Sequence, residues 1–153
     1  MKSKVVEDAD VVTYVVVCDP GDEDPGDEAV AALTQFARSE DLEAAQITAV
    51  GAFEHATVGW FDRAAKDYRR IQVAEQCELL SLIGDIAEGQ DGPVLHAHVV
   101  LGLKDGTTRG GHPLAGRVFP TLEAVVTENP ARLRKVLHPD LGIALIDLDW
   151  SES

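Results

Sequence analysis

Cysteine, aromatic residues and long apolar runs are scarce in this sequence. Its 153 residues include two cysteines, Cys18 and Cys77, whose separation fits none of the paired-cysteine metal sites. We interpret both as packing thiols, because a cytoplasmic compartment disfavours disulfides. No run approaches the roughly 18 apolar residues of a membrane span, and the N-terminus lacks the apolar segment of a signal peptide. The sequence therefore predicts a cytoplasmic protein that has no membrane partner.

Positive charge is also scarce, above all near the N-terminus. The net charge is −14, and nine acidic residues but no Lys or Arg lie between Val5 and Ala37. A surface of this kind repels the phosphates of nucleic acid, so bulk electrostatics disfavour DNA as a partner. Either of two small basic groups could form an anion-binding patch, but we interpret both as solvated surface that offsets nearby acids. They are Arg63, Lys66, Arg69 and Arg70, and Arg132, Arg134 and Lys135.

The common catalytic motifs are missing as well. The sequence has no nucleophile elbow, phosphate-binding loop or dinucleotide fingerprint, since the Gly110-Gly111 pair is too short and lies in a predicted hairpin. Its hydrophobic content of 45% and charged content of 26% are those of an ordinary globular domain. No linker, repeat or change of composition divides the chain. We therefore expect a single domain over residues 1–153, with its core in 11–148.

What the sequence does contain is a succession of short, strand-like apolar segments separated by turns. An acidic loop over 19–28 precedes an amphipathic helix over 28–41, and Asn129-Pro130 opens a short helical piece over 131–137. These elements predict an α+β fold with a mostly antiparallel sheet of about seven strands, one main helix and a short second helix. The predicted strands cover 11–18, 45–51, 53–61, 68–74, 78–86, 94–103, 117–127 and 143–148.

Three of the five histidines lie close together in the sequence. In the strand over 94–103, alternation places His96 and His98 on one face, about 6.5 Å apart along the chain. The opposite face is an apolar stripe suited to a core. Its members are Leu95, Ala97, Val99, Leu101 and Leu103.

The third histidine follows a hairpin signal. Lys104-Asp105-Gly106 suits a three-residue loop in which Gly106 takes the left-handed conformation. If Leu103 then pairs with Thr107, His112 falls directly opposite His98. A two-residue loop would turn His112 to the other face unless Gly110-Gly111 formed a bulge. The expected site therefore depends on the register of this hairpin.

Three converging imidazoles are typical of a metal site. His96, His98 and His112 suit zinc or another divalent transition metal, with one position left for water or a carboxylate. The alternative is that the three histidines are half-buried polar residues, hydrogen-bonded inside the sheet or at a subunit contact. The spacing alone leaves both interpretations open.

Three stretches of the chain carry a family resemblance, and together they run through most of it. These stretches are 32–62, 77–87 and 94–126, and their specific marks are Gly51-Ala52-Phe53, Ala56-Thr57-Val58-Gly59, Glu78-Leu79-Leu80-Ser81-Leu82 with Gly84, and Asp105-Gly106 followed by Gly110-Gly111-His112. In these the sequence resembles the plants-and-prokaryotes-conserved (PPC) domain. The resemblance implies a compact α+β subunit that assembles into a homotrimer.

The same resemblance bears on DNA and on metal. Plant members join the domain to an AT-hook, an Arg-Gly-Arg-Pro-type segment that enters the minor groove, and no Arg-Gly-Arg occurs in this sequence. The three histidines resemble the prokaryotic form, for which a bound metal is plausible. A trimer also suits the strands over 11–17 and 143–148, which are too apolar for exposed edges.

Three functions follow as alternatives. The first is a homotrimeric module that binds a metal and a small ligand or protein partner. The second is a DNA-binding regulator, which the net charge and the missing hook disfavour. The third is a metal-dependent hydrolase-like enzyme, which needs a general acid or base beside the metal. Glu78 is the candidate for that role, because it lies on a predicted strand at a position that matches the family; its alternative is a structural carboxylate. Further candidates are Glu54, His55 and Glu123.

Overall fold

The protein is described by a computed structural model that covers residues 1–7, 11–19, 27–130 and 132–149. Most of the expected acidic loop therefore lies outside the described residues. The elements are β1 (Lys2–Glu7), β2 (Val12–Cys18), α1 (Ala29–Ser39), β3 (Ala44–Asp62), β4 (Asp67–Val73), β5 (Cys77–Gly89), β6 (Gly92–Gly102), β7 (Thr108–Glu128), β8 (Lys135–His138) and β9 (Ile143–Ile146).

The architecture is a seven-stranded sheet in the order β1-β2-β7-β6-β5-β3-β4, with an additional pairing between β7 and β3. All these strand pairs are antiparallel. Because β3 and β7 are long, each pairs with different neighbours along its length. The ring β3-β5-β6-β7-β3 closes the middle of the sheet on itself, and this curvature brings the start of β7 beside β6.

The hydrophobic core fills the inside of this curved sheet. Helix α1 lies against β6 and β7, and it contributes the buried Leu33 and Phe36. The ring of Phe36 meets Tyr14 of β2 edge-on, at 5.4 Å between centroids. The periodic apolar face expected for this helix is therefore the face that packs on the sheet. Both cysteines, Cys18 and Cys77, are free and buried, as their interpretation as packing thiols requires.

Several expectations need correction. The described residues hold nine strands, seven in the main sheet and two in a separate β8–β9 hairpin. The predicted strands over 45–51 and 53–61 are one strand, β3, with a register shift at Gly51. A Cβ on Gly51 would lie 2.3 Å from the Thr121 carbonyl oxygen, so the close approach of β7 explains this glycine. The short second helix is absent: the part of 131–137 that the structure describes includes the start of β8.

The fold also changes the argument that two apolar strands would be exposed edges unless the protein assembled. Strand β2 is not an edge, because β1 pairs with it on one side and β7 on the other. The last strand, β9, lies in the two-stranded hairpin and pairs with β8 alone. Among the described residues no helix has both the length and the apolar character to cross a membrane.

Candidate metal centre

The strand that carries the first two histidines has the predicted alternation. On β6, Ala97, Val99 and Leu101 are buried in the core, with exposed fractions of 4% or less. His96 and His98 point to the outer face, where His96 is partly exposed and His98 is exposed. The apolar stripe thus fixes which face of β6 the two imidazoles occupy.

The hairpin after β6 has the register expected from the sequence. The Leu103 amide donates to the Thr107 carbonyl at 2.8 Å, and Gly106 has a φ of 81°. Pairing continues from Gly102↔Thr108 to Val99↔Gly111. The three-residue loop is therefore confirmed, and no bulge intervenes between the loop and Gly111.

Beyond that pair the structure departs from the prediction. His112 does not pair with His98, because β7 leaves β6 at Gly111 and its next partner is β3, with Gly59 opposite His112. Gly111 permits this crossing, since a Cβ there would lie 2.5 Å from the Gly59 carbonyl oxygen. The His112 imidazole nevertheless lies close to those of His96 and His98, because the curvature of the sheet keeps this part of β7 near β6.

The three imidazoles form one cluster on the outside of the sheet. Ring centroids are 5.5 Å apart for His96 and His98, 5.8 Å for His96 and His112, and 6.1 Å for His98 and His112. One ligand nitrogen from each residue lies within 4.8 Å of the other two. Zinc–nitrogen bonds of about 2.0–2.1 Å in a tetrahedron place such atoms about 3.3 Å apart. Small side-chain rotations therefore suffice to close the cluster on an ion.

The protonation of the cluster suits a metal. Burial lowers the pKa of His96 and of His112, and for His112 the neighbouring His96 and His98 lower it further. The imidazoles of His96 and His112 are therefore neutral near pH 7 and offer lone pairs instead of protons. The buried Nδ1 atom of His112 has no hydrogen-bond partner among the described residues. An ion bound at the cluster would give this atom a partner.

A tyrosine of β4 supports the third histidine. The Tyr68 ring stacks on His112 with centroids 4.7 Å apart and an angle of 19° between the planes. Burial raises the pKa of the Tyr68 hydroxyl. Tyr68 has room for this position because its neighbour is Gly59, where a Cβ would lie 2.7 Å from the Tyr68 ring. The stacked ring restricts the orientation of the His112 imidazole.

Two charged residues complete the surroundings of the cluster. Asp85 of β5 lies opposite His96 of β6, with its Oδ2 atom 3.5 Å from His96 Nδ1. The other carboxylate oxygen contacts the Nζ atom of Lys135, whose side chain is 2% exposed. The interpretation of the group Arg132, Arg134 and Lys135 as solvated surface is therefore wrong for Lys135.

The sequence and the structure both have counterparts among known proteins. The family model of the Plants and Prokaryotes Conserved (PCC) domain matches residues 23–130. The chain belongs to the PCC (or PPC) domain family. No curated protein sequence matches it.

Solved structures of several microbial proteins share its fold. A PPC protein of Pyrococcus horikoshii is 27% identical, with 95% of this chain and 94% of that chain covered and a TM-score of 0.79. A metal-containing protein of Archaeoglobus fulgidus is 27% identical, with 95% and 96% covered and a TM-score of 0.77. A candidate DNA-binding protein of Ralstonia eutropha JMP134 is 27% identical, with 88% and 90% covered and a TM-score of 0.78.

The other candidate residues lie elsewhere on this PCC domain. Glu78 is opposite Gly102 of β6, four residues along the strand from His98, or about 13 Å at about 3.3 Å per residue. Its side chain is exposed and does not share the histidine cluster. Glu54 pairs with Arg117 at 3.0 Å, and the neighbouring His55 lies opposite that arginine. Glu123 lies on β7, opposite Val50 of β3.

Proposed function

We propose that this PCC-domain protein is a metal-binding assembly module of the cytoplasm, which holds zinc or another divalent transition metal on His96, His98 and His112. The observation that carries the proposal is the convergence of three ligand nitrogens within 4.8 Å. The description of the Archaeoglobus relative as a metal-containing protein supports it. Three imidazole ligands suit zinc, copper or nickel, and in a tetrahedral site they leave one position for a further ligand.

The same proposal includes assembly as a homotrimer. The outer face of the sheet carries exposed apolar side chains on neighbouring strands: Val50 at 56%, Ile83 at 64%, Val100 at 42% and Val125 at 45%. Several exposed apolar side chains on one face of a sheet are typical of a contact surface. A cyclic trimer, which the family resemblance implies, covers such a face on every subunit. Small ligands or protein partners would then bind the assembled module.

Metal content is the first measurement. Plasma mass spectrometry on purified, untagged protein is expected to find close to one zinc or similar ion per chain. The His96→Ala/His98→Ala/His112→Ala variant is expected to contain none, because all three proposed ligands are removed. A matched control is His55→Ala/His138→Ala, which removes two histidines outside the cluster. A metal-free wild type that still assembles would show that the cluster is structural.

DNA binding is the second candidate, and it is favoured by the description of the Ralstonia relative. We place it second because a net charge of −14 opposes the counterion-release term that provides most non-specific affinity for DNA. The hydrolase-like alternative comes third. Its proposed acid–base residue, Glu78, lies about 13 Å along the sheet from His98 by register, beyond the reach of a general base.

A further inference from the structure

Lys135 is unusual for a lysine. Among the residues that the structure describes, it is the one buried polar or charged residue, and its side chain is 2% exposed. Burying an ammonium group costs several kcal/mol unless a close counter-charge compensates it. The compensating group is Asp85, whose carboxylate contacts Lys135 Nζ directly. Since Asp85 lies on β5 and Lys135 on β8, the pair joins the C-terminal hairpin to the main sheet.

The ion pair of Lys135 and Asp85 lies next to the proposed metal centre. Of the two Asp85 oxygens, Oδ1 meets Lys135 and Oδ2 lies 3.5 Å from His96 Nδ1. Lys135, Asp85 and His96 thus form a continuous polar chain. A carboxylate beside one imidazole nitrogen favours the tautomer with the proton on that nitrogen, which leaves the other nitrogen free for a metal.

We propose that Asp85 is a positioning residue for the metal centre: it holds His96 with its proton on Nδ1 and its Nε2 lone pair toward the ion, while Lys135 fixes the Asp85 carboxylate in place. This inference rests on the proposed metal-binding function. Asp85 is not a member of the cluster of ligand atoms, and the ammonium group of Lys135 has no lone pair to offer a metal. Their effect is on the orientation and basicity of His96.

The arrangement explains why the lysine is buried. The Asp85 side chain is 29% exposed, so a carboxylate there without a partner would be free to turn toward solvent instead of toward His96. Pairing with a lysine that is held inside the fold removes that freedom. Lys135 also lies beyond residues 23–130, the part of the chain that the family model matches. The C-terminal hairpin of this protein therefore contributes to the metal centre through Lys135.

A purely structural ion pair is the competing explanation, and paired substitutions distinguish the two. In Asp85→Leu/Lys135→Met both charges are replaced, so no unpaired charge remains and stability is expected to change little. Removing the outer partner of a metal-ligating histidine typically weakens metal affinity 10- to 100-fold, and we expect a loss of about that size. Zinc affinity is measured by competition with a chromophoric chelator.

Two further variants sharpen the comparison. Asp85→Asn/Lys135→Met retains a carbonyl oxygen that accepts from His96 Nδ1, so it is expected to recover most of the lost affinity. Glu43→Gln/Arg132→Met removes an ion pair of 3.0 Å at a surface position in the same C-terminal region, and it is expected to bind zinc like the wild type. Equal zinc affinity in the Leu and Asn double variants and the wild type would overturn the proposal.

The tautomer of His96 provides a readout that does not need the metal. Nitrogen-15 spectra of the metal-free protein are expected to show the His96 proton on Nδ1 in the wild type and on Nε2, at least in part, in Asp85→Leu/Lys135→Met. An unchanged tautomer would also overturn the proposal. A wild type that takes up no zinc would refute the metal-binding function itself, while the tautomer would still decide whether Asp85 orients His96.

Discussion

At the scale of single residues, an added methyl group at Gly84 is expected to disturb the strands that carry the histidine cluster. It lies opposite Ala97, between the two histidines of β6. A Cβ there would lie 2.3 Å from the His96 carbonyl oxygen and 2.8 Å from Ala97 Cα. Both are backbone atoms, which cannot move without shifting β6. Gly84→Ala is therefore expected to lower the free energy of unfolding by about 1–3 kcal/mol and to weaken zinc binding.

Urea unfolding measures the first effect and chelator competition the second. The matched control is Gly102→Ala on β6, where the added methyl group meets the side chain of Leu80 at 3.0 Å. Leu80 is 52% exposed and can rotate away, so this control is expected to stay close to the wild type. A Gly84→Ala protein as stable as the control would show that β5 and β6 separate easily at the site.

The convergence of the three histidines was predicted from the sequence, whereas the contacts of Asp85 and Lys135 were not, and the reason differs for each. His96, His98 and His112 follow from strand alternation and a recognisable loop, which are local signals. The position of Asp85 could have been predicted in the same way, because a two-residue turn between Gly89 and Gly92 places Asp85 opposite His96. Lys135 carries no local signal, since its burial depends on how a distant hairpin packs.

At the scale of elements, Glu28 connects the main helix to the sheet. Its Oε2 atom accepts from the Ala31 amide at 2.9 Å and caps α1, while Oε1 accepts from the Gly116 amide of β7 at 2.7 Å. Glu28→Ala removes both acceptors and leaves the Gly116 amide unpaired in a part-buried position. We expect a loss of about 2 kcal/mol in the free energy of unfolding, in line with a lost cap and a lost charged hydrogen bond.

The comparison for this prediction is Glu40→Ala at the other end of the helix, where the backbone amide of Glu40 makes the capping bonds. That variant is expected to unfold within about 0.5 kcal/mol of the wild type, as most surface substitutions do. Chemical denaturation followed by circular dichroism measures both. Equal stability of the two variants would contradict a role for the Glu28 side chain in holding α1 on β7.

The prediction of a short second helix was wrong because backbone pairing with distant parts of the chain outweighs the local helix propensity. The segment over 131–137 has the spacing of a short amphipathic helix, yet backbone hydrogen bonds of its described residues go to other parts of the chain. The Leu133 amide donates to the Glu43 carbonyl, and the Leu133 carbonyl accepts from the Glu88 amide at 2.8 Å. Four residues then pair with β9. A helix this short is marginal by itself, so these tertiary contacts determine its structure.

At the scale of the whole molecule, the antiparallel sheet is the feature that was predicted best from the sequence. An antiparallel α+β fold follows from strand periodicity and one helix, but the number of strands and the closure through β3 and β7 depend on pairings between distant segments. The apolar outer face of the sheet could not be predicted from the sequence either. Its apolar side chains come from several strands and become one surface only after the registers are set.

Register places this apolar face next to the histidine cluster. Ile83 lies opposite His98 on one side and Thr48 on the other, and Thr48 lies opposite Val125. Val125, Ile83 and His98 therefore occupy one row across β7, β3, β5 and β6. An assembly that buries this row would bring a neighbouring subunit close to the open side of the histidine cluster.

The trimer proposal is tested by replacing the centre of this face. The wild type is expected to elute with a mass near three times the 16.4 kDa of the chain, as measured by light scattering at micromolar concentration. Ile83→Glu/Val125→Glu is expected to be monomeric, because an unpaired carboxylate buried at a contact costs several kcal/mol. Leu148→Glu is the control: Leu148 is 77% exposed but lies outside the sheet. A monomeric wild type, or a double variant that still assembles, would show that subunits do not meet through this face.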